Sequence, residues 1–148
     1  MFGWSEILER LPHRPPFLLL DRVLGVEEGR AWGYKNITMN EPQFRGHFPG
    51  NPVLPGVLTI ESLLQLTWVL YSGQGSPRLV GIDRLKFRRQ VKPGDRLDLE
   101  VQEIEADGER RRVRARAQVD GQVASEGVLT VCLEAPLGGS PAPGATSE

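Results

Sequence analysis

The sequence predicts an α+β domain in which one long apolar helix is enclosed by a curled antiparallel β-sheet. Two observations carry this. Gly56 to Ser72 has helical character and is apolar on almost every side, so other structure must wrap it. From Arg78 to Leu133 the pattern is that of strands separated by short turn signals, which is how an antiparallel sheet reads.

Taken in order, Trp4 to Leu11 reads as a short amphipathic helix that Ser5 can cap, with Ile7, Leu8 and Leu11 on one face. Pro12, Pro15 and Pro16 end it. Phe17 to Val26 is apolar and β-compatible, Glu28-Gly29 makes a turn, and Arg30 to Thr38 returns with Trp32, Tyr34 and Asn36 on one side. Glu41 to Pro55 is a loop dense in Pro and Gly, and loops of that length in compact domains are often functional. The apolar helix follows and Gly73 to Pro77 terminates it. The strands after it are Arg78 to Gln90, Arg96 to Ala106, Arg110 to Val119 and Gln122 to Leu133, with Lys92-Pro93-Gly94-Asp95, Asp107-Gly108 and Asp120-Gly121 between them. In Arg112 to Ala117 Arg alternates with Val or Ala, which predicts one wet and one dry face. Residues 136–148 are rich in Gly, Pro, Ala and Ser and read as a disordered tail, leaving 1–135 as the domain. An all-round apolar helix inside such a sheet describes a hot-dog fold.

The 148 residues suit one domain with one core. Hydrophobic residues at 39% and charged residues at 25% are ordinary for a soluble globular protein. A net charge of -1 lacks the basic excess of a general nucleic-acid binder. The single cysteine, Cys132, permits no intrachain disulfide; it lies in an apolar run and reads as a small core residue rather than a nucleophile. The N-terminus lacks the basic start and apolar stretch of a signal peptide. No segment has the ~18 uninterrupted apolar residues of a membrane span. The expectation is a cytoplasmic protein with neither membrane nor nucleic-acid partners.

The chain has two histidines. His13, between a helix end and a strand, reads as a structural side chain bonded to backbone. His47 sits among glycines and prolines in the long loop. A fixed imidazole there suits a general base. Glu61 lies on the apolar helix among Leu58, Ile60, Leu63 and Leu64. An unpaired carboxylate is expensive to bury, and burial favours the protonated form that a general acid needs. The alternative is that Glu61 meets an arginine from another strand or a partner subunit. Gln65, four residues on, faces the same way and could orient the carboxyl. Pro55 can open the helix, so the Gly56 N–H, at the positive end of the helix dipole, is a ready donor to a polarised carbonyl or enolate oxygen.

These residues fall in motifs with a resemblance. Leu11-Pro12-His13-Arg14-Pro15-Pro16-Phe17-Leu18-Leu19-Leu20-Asp21-Arg22-Val23, Asn36-Ile37-Thr38-Met39-Asn40-Glu41-Pro42 and Gly46-His47-Phe48-Pro49-Gly50-Asn51-Pro52-Val53-Leu54-Pro55-Gly56-Val57-Leu58 resemble three motifs of the (3R)-hydroxyacyl-[acyl-carrier-protein] dehydratases of type II fatty acid synthesis. Glu61 and Gln65 fall where that family has its acidic residue and following Gln. Gly81-Ile82-Asp83 and Phe87-Arg88-Arg89-Gln90-Val91-Lys92-Pro93-Gly94-Asp95 are similar to a later motif. The resemblance runs from about Ile7 to Leu133. It implies a hot-dog homodimer, commonly a trimer of dimers, with each active site joining His47 of one subunit to Glu61 of the other. It implies no metal or organic cofactor, and a thioester delivered on the carrier's phosphopantetheine arm. His47 would take the α-proton, Glu61 would protonate the leaving hydroxyl, Gly56 N–H would bind the thioester carbonyl, and a trans-2-enoyl thioester would result.

The family usually has small residues around the Gln, whereas the run here is Leu64-Gln65-Leu66-Thr67-Trp68. Trp68 is seven residues after Glu61, on nearly the same helix face, where it could shorten the acyl tunnel. The stretch Tyr71 to Arg78 is also short for the family. Arg84, Lys86, Arg88, Arg89 and Lys92 form a charge run in which strand alternation would put Arg84, Lys86 and Arg88 on one face. Docking of an acidic carrier protein and plain solvation both fit that run. Competing functions are a hot-dog thioesterase, which would not need the His47 loop and Gly56; a dehydratase that also isomerises, which usually has Asp at the position of Glu61; and a non-catalytic module binding acyl thioesters. Acyl length, and coenzyme A against carrier protein, stay open at this level.

Overall fold

The computed structural model describes residues 5, 7, 10–13, 19–38 and 54–135. Ser5, Ile7 and Arg10 are helical, and Ile7 and Leu11 are buried as expected. The strands are β1 (Arg22–Glu27), β2 (Arg30–Asn36), β3 (Ser76–Phe87), β4 (Arg96–Asp107), β5 (Arg110–Val119) and β6 (Gln122–Glu134). Helix α1 (Gly56–Leu70) comes between β2 and β3. The strands form one sheet in the order β1-β2-β4-β5-β6-β3, every neighbouring pair antiparallel. Helix α1 touches all six strands, so the sheet curls around it.

Alternation decides which side of each strand meets α1. Ala31 and Gly33 on β2, Leu97, Leu99 and Val101 on β4, Val113, Ala115 and Ala117 on β5, and Leu129, Val131 and Leu133 on β6 are buried. In β5 the intervening arginines stay toward solvent, as the Arg/Val/Ala alternation predicts. Helix α1 meets this lining with Ile60, Leu63, Leu66, Val69 and Leu70. Its buried Ser62 and Thr67 turn their hydroxyls back to Leu58 O (2.8 Å) and Leu63 O (2.9 Å), which lets polar side chains sit in the core at little cost. The β5–β6 turn has Asp120 and Gly121 at φ 52° and 78°, the left-handed pair that a two-residue hairpin requires.

Four expectations are corrected. β1 begins at Arg22 rather than Phe17: Asp21 bends, and its carboxylate accepts Asn36 N–H (2.6 Å) where a ladder bond would be. Residues 14–18 lie outside the described residues. β3 stops at Phe87, although Arg88 N–H still reaches Ala124 O (2.7 Å). Cys132 is half-buried, because it alternates onto the β6 face opposite Val131 and Leu133. Finally, Arg84 does not share a face with Lys86 by simple alternation. The β3–β6 register slips between Asp83 and Lys86, with Arg84 at φ 56°, the signature of a bulge. Trp32 and Tyr34 do share a side, each under a guanidinium, Arg30 at 4.1 Å and Arg96 at 4.0 Å. The expected tail, 136–148, lies outside the described residues.

Candidate active site

Helical spacing puts Glu61, Gln65 and Trp68 on one face of α1. Gln65 is fully buried and fixed at both ends. Its Nε2 donates to Glu61 Oε2 (3.1 Å), and its Oε1 accepts the Leu19 N–H (2.8 Å). The amide therefore ties the carboxyl to the chain entering β1, which is the orienting role its spacing predicts. A buried amide satisfied at both poles has one available orientation.

The sequence reading missed His13. Its Nε2 stands 3.6 Å from the same oxygen, Glu61 Oε2, and its ring meets Trp68 edge-on, with centroids 5.5 Å apart at 87°. No local signal marks this contact, since 48 positions separate the two residues. Trp68 does lie on the Glu61 face, packed against His13 rather than standing clear of other groups.

Glu61 itself is corrected in one respect. Its side chain keeps 38% of its surface exposed within the single chain, against 20% for His13. No strand among the described residues closes the α1 face around it, and its neighbours Leu58, Leu64 and Trp68 are only partly covered. No arginine pairs with it among the described residues: the basic side chain beside it is His13.

Gly56 opens α1 after Pro55 (φ -59°, ψ 138°), and no side chain of the described residues caps this end. The start of α1 is thus the donor-rich helix end that the sequence predicts. Gly56 has a packing reason too: a Cβ there would stand 2.5 Å from a Phe87 ring carbon. His47 lies outside the described residues.

Arg84, Lys86, Arg88 and Arg89 are all exposed. Arg88 Nε donates to Glu126 Oε2 (2.6 Å) and holds that carboxyl below the usual carboxylate range, and Arg89 Nη1 donates to Gln122 Oε1 (3.0 Å). Two surface cavities, about 250 and 330 Å³, are lined by residues such as Arg30, Trp32 and Arg116, and Glu105, Arg110 and Thr130; neither reaches Glu61.

Residues 11–132 match the FabA-like domain family. The chain is 53% identical to a 3-hydroxyacyl-[acyl-carrier-protein] dehydratase FabZ of Herpetosiphon aurantiacus over 144 residues, covering 90% of this chain and 99% of the relative. It is 50% identical to the protein of that name in Bacillus subtilis over 139 residues, with the same coverage. Among solved structures it resembles the dehydratase heterocomplex ApeI:P from Xenorhabdus doucetiae, with TM-score 0.73 and 19% identity over 86% of this chain and 90% of that one. It also resembles a hypothetical thioesterase with coenzyme A from Streptococcus pneumoniae, with TM-score 0.63 and 10% identity over 76% and 84%. At these identities the likeness is one of fold, the hot-dog architecture of a helix wrapped by an antiparallel sheet.

Proposed function

The chain belongs to the FabA-like family and, within it, to the 3-hydroxyacyl-[acyl-carrier-protein] dehydratases, and from this premise we propose that Glu61 is its general acid and His47 its general base. The protein is a hydro-lyase of fatty acid synthesis that dehydrates a 3-hydroxyacyl thioester carried by acyl carrier protein. In the proposed course the substrate is the (3R) epimer. His47 takes the C2 proton while the Gly56 N–H binds the thioester oxygen as it gains charge. The C3–O bond breaks, Glu61 protonates the departing hydroxyl, and water leaves. The C2=C3 bond that forms is that of a trans-2-enoyl thioester.

The observation that carries the acid assignment is the anchoring of Glu61 by Gln65, itself fixed by the Leu19 N–H. A carboxyl held in one orientation and still partly open to a ligand suits proton delivery. A homodimer completes the site in this reading. β3 is the sheet's terminal strand. Ile82, Leu85 and Phe87 pair with or lie beside the β6 residues Leu129, Gly127 and Ser125, on the α1 side of the sheet, yet they are exposed, as is Val57 of α1. An apolar strand left open at a sheet edge favours pairing with another chain, and a second copy of this one fits. Assembly into a trimer of dimers, docking of the carrier on Arg84, Lys86, Arg88 and Arg89, and acyl contact with Trp68 belong to the same proposal. So does a cytoplasmic location; no helix among the described residues is long and apolar enough to cross a membrane.

The test is direct. Purified protein is given a short (3R)-hydroxyacyl thioester on carrier protein and, separately, on coenzyme A, and enoyl product is followed by ultraviolet absorbance and mass. Enoyl formation that disappears in both His47→Ala and Glu61→Gln is expected. Free thiol without enoyl product would replace the reading with a thioesterase.

A further inference from the structure

Two side-chain nitrogens converge on one oxygen of Glu61. Gln65 Nε2 lies 3.1 Å from Oε2 and His13 Nε2 lies 3.6 Å from the same atom. A carboxylic acid has one oxygen that carries the proton and one that only accepts. Hydrogen-bond donors collect on the accepting oxygen, because the protonated one is itself a donor. With Gln65 Nε2 bonded to Oε2 and His13 Nε2 facing the same atom, Oε2 is the accepting oxygen and the transferable proton stands on Oε1.

We propose that His13 is a positioning residue which, together with Gln65, holds Glu61 Oε2 and so turns the proton-bearing Oε1 toward the substrate hydroxyl. This rests on the reading of Glu61 as the acid. The imidazole is itself held in place, since its edge packs on Trp68 at 87° and four-fifths of the side chain is covered. The 3.6 Å separation is longer than a hydrogen bond, and such contacts at catalytic groups commonly shorten once substrate is bound. When Glu61 has given up its proton, the His13 N–H faces the new carboxylate, and a donor to a charged acceptor is worth more than one to a neutral acid. His13 thus favours the state after transfer without touching the substrate.

The role requires hydrogen on His13 Nε2. Nitrogen-15 spectra of histidine-labelled protein near neutral pH read this without altering His13, and with two histidines in the chain a His47→Ala sample assigns the signals. A proton-bearing Nε2 is expected; a bare Nε2 at His13 overturns the proposal. In turnover, His13→Phe keeps a planar ring against Trp68 but removes the N–H. Roughly a tenfold or larger fall in kcat is expected, at nearly unchanged KM. His13→Gln returns a donor of similar reach and should restore kcat to within about threefold of the parent. An active parent with His13→Phe equally active sinks this proposal alone, whereas a parent that forms no enoyl product sinks the reading of Glu61 on which it stands.

Discussion

At the scale of single residues, Gln65 and Glu103 are polar side chains each tied to two partners. Gln65 links Glu61 to the Leu19 backbone. Tyr71, just past the end of α1, is buried to 2% exposure and donates its hydroxyl to Glu103 Oε1 (2.7 Å), which Arg111 Nε approaches to 3.5 Å. Burial, then the bond to Glu103, push the Tyr71 phenol well above the usual tyrosine range. The consequence for stability has a definite sign. An unfolded tyrosine loses its proton near pH 10, while native Tyr71 keeps its own, so above about pH 10 the folded state holds more protons and stability falls as pH rises. Below that value the contribution is complete. Tyr71→Phe should cost about 1 kcal/mol at pH 8 and should flatten the alkaline decline, both read from urea unfolding at about pH 8 to 11.5. Equal alkaline slopes in parent and variant would exclude the assignment. The sequence displayed Glu61 and Gln65 through helical spacing alone. It concealed His13, whose contact is made by tertiary packing, and it overstated the burial of Glu61, because apolar neighbours in sequence do not say whether a strand closes the helix face.

At the scale of elements, legibility follows how local the determinant is. β4, β5 and β6 were readable nearly to the residue, since Asp107-Gly108 and Asp120-Gly121 mark their turns and alternation marks their faces. The start of β1 was not, because it depends on Asp21 reaching across to Asn36 N–H. β3 was readable as a strand but not in its phase. Its register with β6 slips twice, between Leu79 and Gly81 and again between Asp83 and Lys86. Those slips carry Ile82, Leu85 and Phe87 onto the α1 side, although strict alternation would separate Ile82 from the other two. A prediction belongs to this strand. If β3 forms the proposed dimer, Ile82→Arg should leave the protein monomeric in sedimentation velocity where the parent is larger, because it places a charge in the apolar edge. Lys86→Glu, whose residue pairs with Glu126 on the other face, should leave the dimer intact. An Ile82→Arg protein that sediments as the parent does would remove β3 from the interface.

At the scale of the whole molecule, the described residues leave Glu61, the proposed acid, on a partly open face of α1. Glu61 is oriented and keeps 38% of its side chain exposed, no side chain of the described residues caps the start of α1 at Gly56, and the cavities of about 250 and 330 Å³ lie elsewhere on the sheet. A thioester dehydratase must exclude water around the enolate, so the open face around Glu61 needs a wall beyond the described residues. In the proposed dimer it comes from the second subunit, which also brings the base, His47. Subunit mixing tests that arrangement. His47→Ala and Glu61→Gln proteins, each inactive alone, are unfolded together and refolded. If base and acid meet across the interface, a mixed dimer has one site with both native groups and one with neither. Random pairing makes about half the dimers mixed, and half of their sites are intact, so about a quarter of the parent activity should return. If base and acid belonged to the same subunit, every site in the mixture would still lack one of them and no activity would return. The two arrangements therefore differ by the presence of turnover itself rather than by its degree.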